Sequence, residues 1–466
     1  MEIFDQNKTE KKEEAITKFI IATQDCSGYG FAKMLQDQVD GRGASRRDKG
    51  SVEDVIMAIL PKEKEEEEEK LYRVGDDVVQ KMPLEKLFSR RKDYKDYLWV
   101  FDMNFGSEMA DKLREEGFYV IGGHELTDKL EHDREYGLSL VKKAGLAEPP
   151  SKKFSDIASG LEFLDANEMI AYVFKPDEPD DHAWVTTTPD NDNDIQANRE
   201  LYRFLAAQGE GKGDYILQER KKGVELNVEL WLYQGKPFFA HGNFECKRKD
   251  NGDHGRMIGC AQDIEFVIPV NAKILKATLW KLIEQPEFKD YTGFIDMNLI
   301  VADDQPWFLE FCGRFGYNSH PNLFLTVAIS PIGKILSDFV MGNVENFRRH
   351  FRAGFGASIT CWIDKPVEGL PIIFDDDQDI ESRFFHFDTY KEDDEYYLAG
   401  YANEVGIICA HDYDLKSAAD AVLQKFDHIH YPGRTARTDL NREDYLSNPQ
   451  ERLIAANEMK LFEPEE

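Results

Sequence analysis

The segment Gly293–Gly316 constrains the fold more strongly than any other part of the chain. Its sequence, GFIDMNLIVADDQPWFLEFCGRFG, alternates apolar and polar residues on both sides of ADDQP, which predicts an antiparallel β-hairpin with its turn there. We expect one face of the hairpin to carry the apolar residues Ile295, Met297, Leu299, Val301, Trp307, Leu309 and Phe311. The other face would carry Asp296, Asn298, Glu310 and Cys312.

The polar face of this hairpin predicts a metal–nucleotide site. If Val301 pairs with Trp307, then Asn298 lies opposite Glu310, with Cβ atoms roughly 5 Å apart. Magnesium takes one or two carboxylates and obtains further oxygen ligands from phosphates. Glu310, with Asn298 or Asp296, is therefore a candidate ligand set. The alternative is an amphipathic hairpin whose polar face contacts only water.

Two further segments suit a nucleotide. Lys175 ends the apolar strand AYVFK, and a lysine placed there can neutralise phosphates, although a surface lysine is the alternative. The sequence YILQERKKGVELNVELWL predicts a strand, a short linker and a second strand. Backbone amides of the linker near Gln218–Lys221 are placed to recognise adenine, and Glu225 is placed to accept hydrogen bonds from ribose hydroxyls.

The order of predicted elements indicates an α/β and α+β protein of several domains. Strand Lys18–Thr23, the glycine turn CSGYG and a helix open a doubly wound, Rossmann-like N-terminal domain at residues 1–123. Residues 124–345 would form a central domain in two parts, with a smaller, lid-like part near residues 166–222. A small α+β domain follows at residues 346–440, with helix Leu415–Ile429 capped by Asp414. Residues 441–466 would form a peripheral charged tail.

Composition excludes several classes of function. The net charge of −31 argues against a nucleic-acid-binding surface, since a polyanion would be repelled. The sequence has no run of 18 apolar residues and no secretory signal, so we expect neither a membrane span nor export. The cysteines are scattered, which predicts neither zinc nor disulfides and fits a reducing, cytoplasmic compartment. Nothing in the sequence determines the oligomeric state.

The chain resembles the ATP-grasp family, because Lys175, the Q-E-x-x-x-G-V-E linker and Glu310 follow each other in that family's order. YTGFIDMNLI…FLEFCGRFG is similar to YTGxLYxGLxx…xxEFNxRFG of glycinamide ribonucleotide synthetase, or phosphoribosylamine–glycine ligase. GVELNV, DKLEHDREY and the closing G-x-x-x-R-x-D resemble further motifs of that family, so the similarity extends over Lys18–Leu440.

The resemblance implies a purine-biosynthesis type of ligase that joins a small carboxylate to an amine through an acyl phosphate, using ATP and Mg²⁺ or Mn²⁺. It sets Arg134 at the family's phosphate-contacting lysine, and it implies that Gln218, Glu219 and Glu225 hold the nucleoside. Arg314 would stabilise the developing charge. Asp253 and Gly255 remain from a loop that closes over the family's substrates, and Arg256 follows them.

Several departures from the family leave the substrate open. Cys312 stands where the family has a metal-binding Asn, and the lid sequence DEPDDHAWVTTTPD contains no glycine. SGYGFAKM replaces the GxGGREHA motif that binds the ribose phosphate, so Gly28 and Gly30 before a helix either bind an anion or form an ordinary turn. Arg256, Met257 and Ile258 predict a substrate that is larger and less polar than glycine or that carries its own anionic group.

Three hypotheses therefore remain at the level of the sequence. The first is the activity of the family itself, and the second is a related ligase with a different amine or carboxylate. The third is a nucleotide-binding protein without catalysis, which the glycine-free lid and Cys312 motivate.

Overall fold

The computed structural model of the protein describes residues 15–42, 52–176, 187–188, 193–208, 213–375, 379–442 and 448–465. The strands of these residues form four sheets, with helices packed on them. No helix in the described part of the chain is long and apolar enough to span a membrane. Its six cysteines are all free thiols.

The N-terminal part is a parallel five-stranded sheet with the spatial order β3-β2-β1-β4-β5. Its strands are β1 (Lys18–Thr23), β2 (Asp54–Ile59), β3 (Gln80–Pro83), β4 (Tyr97–Phe101) and β5 (Tyr119–Ile121). Its helices are α1 (Ser27–Val39), α2 (Glu65–Arg73), α3 (Leu84–Ser89) and α4 (Ser107–Glu115). The central strand β1 is buried almost throughout, which explains its continuous apolar sequence.

The glycines of CSGYG lie inside helix α1 and do not form the predicted turn. A Cβ atom at Gly28 would lie 2.7 Å from Cβ of Thr23, and one at Gly30 would overlap the ring of Phe385. Both glycines are therefore needed for close packing of α1. Gly28 allows the approach of β1, and Gly30 allows the approach of Phe385, which lies far along the chain.

Two helices follow strand β5, with a break between them. They are α5 (Glu125–His132) and α6 (Arg134–Lys143). The break falls at Asp133, whose side chain accepts a hydrogen bond from the backbone N–H of Tyr136 and so caps α6.

A small antiparallel sheet with the order β6-β8-β7 has its own apolar core. It consists of β6 (Ser151–Phe154), α7 (Ile157–Ala166), β7 (Tyr172–Pro176), α8 (Asp194–Ala207) and β8 (Tyr215–Glu219). It therefore begins before residue 166, where the sequence placed the start of the lid. Most of the glycine-free lid loop, residues 177–186 and 189–190, lies outside the described residues.

The largest sheet has nine strands in the order β13-β12-β9-β10-β11-β14-β19-β16, with β21 beside β14. These strands are β9 (Val224–Tyr233), β10 (Lys236–Asp250), β11 (His254–Val267), β12 (Gly293–Ala302), β13 (Gln305–Cys312), β14 (Phe355–Ile363), β16 (Phe384–His386), β19 (Glu404–Asp412) and β21 (Arg434–Thr435). The sheet is continuous across residue 345, where the sequence placed a domain boundary. The long hairpin of β10 and β11 was not predicted.

The predicted hairpin forms, with Asn298 opposite Glu310 and the turn at Asp303 and Asp304. The expected pairing of Val301 with Trp307 is wrong, because Trp307 pairs with Ile300. A β-bulge that leaves Leu309 without a partner shifts the register by one residue. The bulge also moves the buried position from Trp307 to Phe308, which is 5% exposed.

The remaining elements complete the C-terminal part. The fourth sheet has the order β17-β18-β15-β20, formed by β15 (Pro371–Phe374), β17 (Thr389–Glu392), β18 (Glu395–Leu398) and β20 (Ile429–His430). The helices are α9 (Lys273–Ala277), α10 (Leu279–Ile283), α11 (Ser319–Asn322), α12 (Ile332–Val340), α13 (Leu415–Asp427) and α14 (Pro449–Glu458). The predicted cap of α13 is confirmed, since Asp414 accepts from the N–H of Ser417.

The C-terminal segment is more closely integrated than the expected peripheral tail. Arg452 of α14 is 7% exposed and donates to the backbone oxygen of Glu245 at 2.7 Å. The ring of Phe462 packs on Phe266 with centroids 5.1 Å apart. These contacts secure the tail against the largest sheet.

We predict that Gly30→Ala destabilises the protein. Alanine favours a helix over glycine by about 1 kcal/mol, but overpacking a core costs about 1–3 kcal/mol. Phe385 is 1% exposed and its ring is already packed 4.8 Å from that of Phe31, so it has no room to move. Urea unfolding should therefore show a lower free energy of unfolding. Val39→Ala, on the exposed end of α1, should change it little, and a Gly30→Ala variant as stable as the wild type would contradict the packing argument.

Candidate functional site

A cavity of about 780 Å³ lies between the three-stranded sheet and the polar face of the nine-stranded sheet. All predicted site residues except Gly255 and Arg256 line it: Arg134, Lys175, Gln218, Glu219, Glu225, Asp253, Asp296, Asn298, Glu310 and Arg314. Residues from separate strands and helices thus meet at one site.

The centre of the cavity wall is an ion cluster around Lys247, a residue that sequence reasoning missed. Its Nζ atom lies 3.1 Å from Glu225, 3.3 Å from Glu310 and 3.9 Å from Glu245. Burial lowers the pKa of Lys247, but the three carboxylates outweigh burial and raise it. The same ammonium group holds the pKa of Glu310 below its ordinary value.

The two candidate partners of Glu310 differ in their surroundings. Asn298 donates from Nδ2 to Oε1 of Glu310 at 3.1 Å, so it is directly beside that carboxylate. Asp296 pairs with Glu229 on one side and Cys312 on the other. Burial, followed by the charge of Glu229, raises the pKa of Asp296 well above its ordinary value. Oδ1 of Asn298 and Oδ1 of Asp296 are buried and accept no hydrogen bond from the described residues.

Lys175 faces this cluster from the three-stranded sheet. Its Nζ atom donates to the backbone oxygen of Leu309 at 3.4 Å, at the residue that the β-bulge leaves without a strand partner. Burial lowers the pKa of Lys175 to about 8, with Arg134 and Lys247 adding to the effect and Glu310 opposing it. The ammonium group is thus poorly solvated, and a bound anion could contact it.

The predicted linker also reaches the cavity. Gln218 is 6% exposed on β8, and Glu219 accepts from Nζ of Lys221 at 2.6 Å. The ammonium of Lys221 lies 4.4 Å from the centre of the Trp307 ring, a cation–π contact that the β-bulge makes possible. Glu225, which was predicted to bind ribose, contacts Lys247 instead in this structure.

Arg314 lies where β13 ends and is held by a neighbouring helix. Its Nε atom donates to Oε1 of Glu131 at 3.1 Å, and its guanidinium lies 5.6 Å from the ring centre of Tyr317. The pKa of the Cys312 thiol is raised, chiefly by burial, so this cysteine is a poor nucleophile.

The predicted substrate loop is the tip of the β10–β11 hairpin, and two of its residues do not line the cavity. Asp253, Met257, Ile258 and Gly259 line it, whereas Gly255 and the exposed Arg256 are not part of the lining. The prediction that Gly255 and Arg256 contact the substrate is thus not supported, because strand β11 already begins at His254 and fixes where each side chain lies.

The hairpin tip is fastened by the closing G-x-x-x-R-x-D motif. Arg437 is 1% exposed and donates to Oδ1 of Asp253 at 3.0 Å, to Oδ1 of Asp439 at 2.8 Å and to the backbone oxygen of Arg248 at 3.1 Å. Asp439 in turn accepts from the N–H of Gly252 at 2.5 Å. In this structure the motif therefore has a structural role, since it holds one wall of the cavity.

A buried network extends from the cavity through Glu229. Glu229, His241 and His320 place possible ligand atoms within 4.8 Å of one another. Nε2 of His241 lies 2.8 Å from Glu229 and its Nδ1 lies 2.7 Å from Glu265, while Nδ1 of His320 accepts from the N–H of Gly316. Both ring nitrogens of His241 and Nδ1 of His320 are thus engaged in hydrogen bonds, whereas Nε2 of His320 lies 3.3 Å from Oε1 of Glu229 without a hydrogen-bond partner among the described residues.

The site residues that the sequence analysis missed lie on two neighbouring strands. Glu245, Lys247 and Glu229 lie on β9 and β10, in the middle of the sheet. The i, i+2 spacing of Glu245 and Lys247 would have indicated a common face, but only after β10 had been predicted as a strand.

No protein-family model matches the chain. It is similar to curated phosphoribosylamine–glycine ligases. The protein from Chlorobaculum tepidum is 23% identical over 347 residues, which cover 71% of this chain and 80% of the relative. The protein from Lactococcus lactis is 21% identical over 258 residues, or 54% of this chain, and this chain spans only 60% of that relative.

Solved structures agree with the sequence comparison. Phosphoribosylamine–glycine ligase from Thermotoga maritima gives a TM-score of 0.61 at 16% identity, covering 91% of this chain and 99% of that one. A biotin carboxylase domain of 2-oxoglutarate carboxylase from Hydrogenobacter thermophilus, solved with MgADP, gives 0.57 at 13% identity over 97% and 100%. The predicted resemblance is thus confirmed, and this chain has the ATP-grasp fold that phosphoribosylamine–glycine ligases share with biotin carboxylases.

Proposed function

We propose that this protein is an ATP- and Mg²⁺-dependent ligase that joins a carboxylate to an amine. The observation that carries the proposal is the meeting of Lys175 and Arg134 with Glu310 and Asn298 in one cavity between two sheets. Cations beside a carboxylate–amide pair suit a phosphate chain and its metal ion. The similarity to phosphoribosylamine–glycine ligases supports the same class of reaction.

The nucleotide would use the side of the cavity formed by the three-stranded sheet. Lys175 and Arg134 would bind phosphate oxygens, and Gln218 and Glu219 would bind the nucleoside. Val173, Ile216 and Phe308 add apolar lining that suits a base. Glu225 can serve the ribose only if Lys247 retains its other carboxylate partners, Glu245 and Glu310.

The residues present fit a hard divalent cation. Glu310 supplies a carboxylate, and the buried, unpartnered Oδ1 atoms of Asn298 and Asp296 are oxygens of the kind that Mg²⁺ prefers. Bound there, Mg²⁺ would offset phosphate charge. The ammonium group of Lys247 lies 3.3 Å from the same carboxylate, so a bound ion would share Glu310 with it.

The chemistry requires positioning and no covalent enzyme intermediate. An oxygen of the substrate carboxylate attacks the γ-phosphorus, and the bond from that phosphorus to the bridging oxygen breaks to release ADP. The amine nitrogen then attacks the acyl carbon, the carbon–oxygen bond to phosphate breaks, and the nitrogen loses a proton. Arg314, held by Glu131, would stabilise negative charge on the phosphoryl oxygens.

A nucleotide-binding protein without catalysis is the second candidate. The observation in its favour is the ion pair of Lys247 with Glu310, which competes with a metal ion for the main carboxylate. Formation of ADP and phosphate by the purified protein, with amino acids screened against amines that include phosphoribosylamine, separates the two candidates.

We predict that Glu310→Ala abolishes ADP formation, because the metal loses its carboxylate and the phosphate charge is left uncompensated. Coupled-enzyme detection of ADP at saturating ATP and Mg²⁺ measures this. Glu115→Ala, on the exposed face of α4, is the matched control and should retain activity. Near-normal Mg²⁺-dependent turnover of Glu310→Ala would refute the metal assignment.

We also predict that Lys175→Ala weakens the binding of ATP by about ten- to a hundredfold and leaves the binding of adenosine nearly unaffected, since the lysine would contact phosphates only. Because the pKa of Lys175 is about 8, the wild-type affinity for ATP should fall as the pH rises from 7 to 9 and the ammonium is lost. In Lys175→Ala that fall should shrink.

Calorimetric titration of both ligands at both pH values measures these effects. Lys152→Ala, an exposed lysine on the same small sheet, is the control and should bind ATP normally. An equal loss of affinity for ATP and for adenosine would show that Lys175 supports the fold and does not contact the phosphates.

A further inference from the structure

Part of the cavity wall is formed by residues that the proposed nucleotide site does not use. We call Tyr317, Trp362, Phe387 and Glu404 the acceptor wall. Glu404 is the strand partner of Trp362, and the rings of Tyr317 and Phe387 lie 5.8 Å apart. The wall therefore combines aromatic surface with a carboxylate.

A second, small cavity adjoins the acceptor wall. Its volume is about 10 Å³, and it shares Gly316, Tyr317 and Phe387 with the large cavity. Asp102 lines it and is 1% exposed. Oδ2 of Asp102 accepts from Ser27 at 2.5 Å, but its Oδ1 has no hydrogen-bond partner among the described residues. A buried carboxylate oxygen without a partner is costly and indicates a missing donor.

The start of helix α1, beside this small cavity, does not suit a phosphate. The N–H of Ser27 already donates to Oδ1 of Asp25 at 2.7 Å, and the N–H of Gly28 donates to Oγ1 of Thr23 at 3.3 Å. Oδ2 of Asp25 also accepts from the hydroxyl of Tyr317 at 3.4 Å. The N-terminal backbone groups that would bind an anion are thus occupied, partly by the protein's own carboxylate.

The negative charges of this region act on one another. Burial, followed by the charge of Asp25, raises the pKa of Asp102 to about 8. The pKa of Glu404 is also raised, first by burial and then in part by Asp25. Asp25 therefore lies close enough to interact with both Asp102 and Glu404, and a cation bound nearby would relieve that repulsion.

We infer that the amine substrate of the proposed ligase is an unphosphorylated cation. Its ammonium group binds beside Asp102 and Glu404, and its apolar part contacts the rings of Tyr317 and Phe387. An amine that carries a phosphate is repelled by the same carboxylates. That the bound amine is a substrate rests on the proposed function. The preference for binding an unphosphorylated amine does not depend on it.

The nearby cations do not reverse this preference. Arg314 lies over Tyr317 but is paired with Glu131 at 3.1 Å. Lys249 is paired with Asp364 at 3.4 Å, and Arg256 is exposed outside the cavity lining. The charges of Lys249 and Arg256 oppose the rise in the pKa of Glu404 but do not cancel it. The acceptor wall thus remains a site for positive charge, and ring faces add cation–π attraction.

The test compares ethanolamine, O-phosphoethanolamine and phenethylamine with the full-length protein. Calorimetric titration measures binding of each amine, and ATP is titrated separately into every variant. We expect phenethylamine to bind most tightly and O-phosphoethanolamine to bind at least about tenfold more weakly than ethanolamine. Asp102→Asn and Glu404→Gln should each weaken phenethylamine by at least about tenfold while ATP affinity is unchanged. Glu395→Gln, an exposed position on β18, is the control for the same substitution.

The outcomes separate this inference from the proposed function. Tighter binding of the phosphorylated amine, no binding of any amine, or unchanged binding in Glu404→Gln would overturn the inference, whatever becomes of Asp102→Asn. If ADP forms most efficiently with phosphoribosylamine, the ligase function stands and the inference is wrong. If the unphosphorylated amines bind but no amine and carboxylate yield ADP, the inference stands and the function fails.

Discussion

The ammonium group of Lys247 is the charge on which the cavity depends. Strands β9, β10 and β13 place Glu225, Glu245 and Glu310 on one face of one sheet, all within 3.9 Å of that group. Carboxylates this close would repel each other without a cation. Lys247 allows the sheet to present a preformed acidic surface before any ligand binds. The lysine that stabilises this surface also competes for the carboxylate that would hold a metal ion.

Two parts of the cavity wall differ in charge, and this difference would determine which ligand group binds in each part. Lys175, Arg134 and Lys221 line the part that faces the three-stranded sheet, whereas Glu404 lines the acceptor wall, with Asp102 in the adjoining small cavity. A phosphate chain is favoured at the first part and an ammonium group at the second. The nucleotide and the amine can thus bind in different parts of one cavity, which suits a reaction in which both must be held in place.

The fold by itself does not decide the substrate. It is shared by phosphoribosylamine–glycine ligase and by a biotin carboxylase domain, whose names describe different reactions. What differs in this chain is local: Cys312 on the hairpin, and apolar Met257 and Ile258 at the cavity. These positions lie on the walls of the site and can change without disturbing the sheets behind them.

The sequence by itself determined the elements whose pattern is local. Strand Lys18–Thr23 has the predicted bounds, the two strands predicted in YILQERKKGVELNVELWL form, and Asn298 faces Glu310 as alternation along a strand requires. Only the tertiary structure decided that a bulge at Leu309 offers its carbonyl to Lys175, and that Phe385 explains the glycine of α1 at position 30. It likewise decided the partners of Lys247, which come from three strands. Such contacts join residues far apart in the chain, and their energy depends on burial and distance, which no local pattern of residues records.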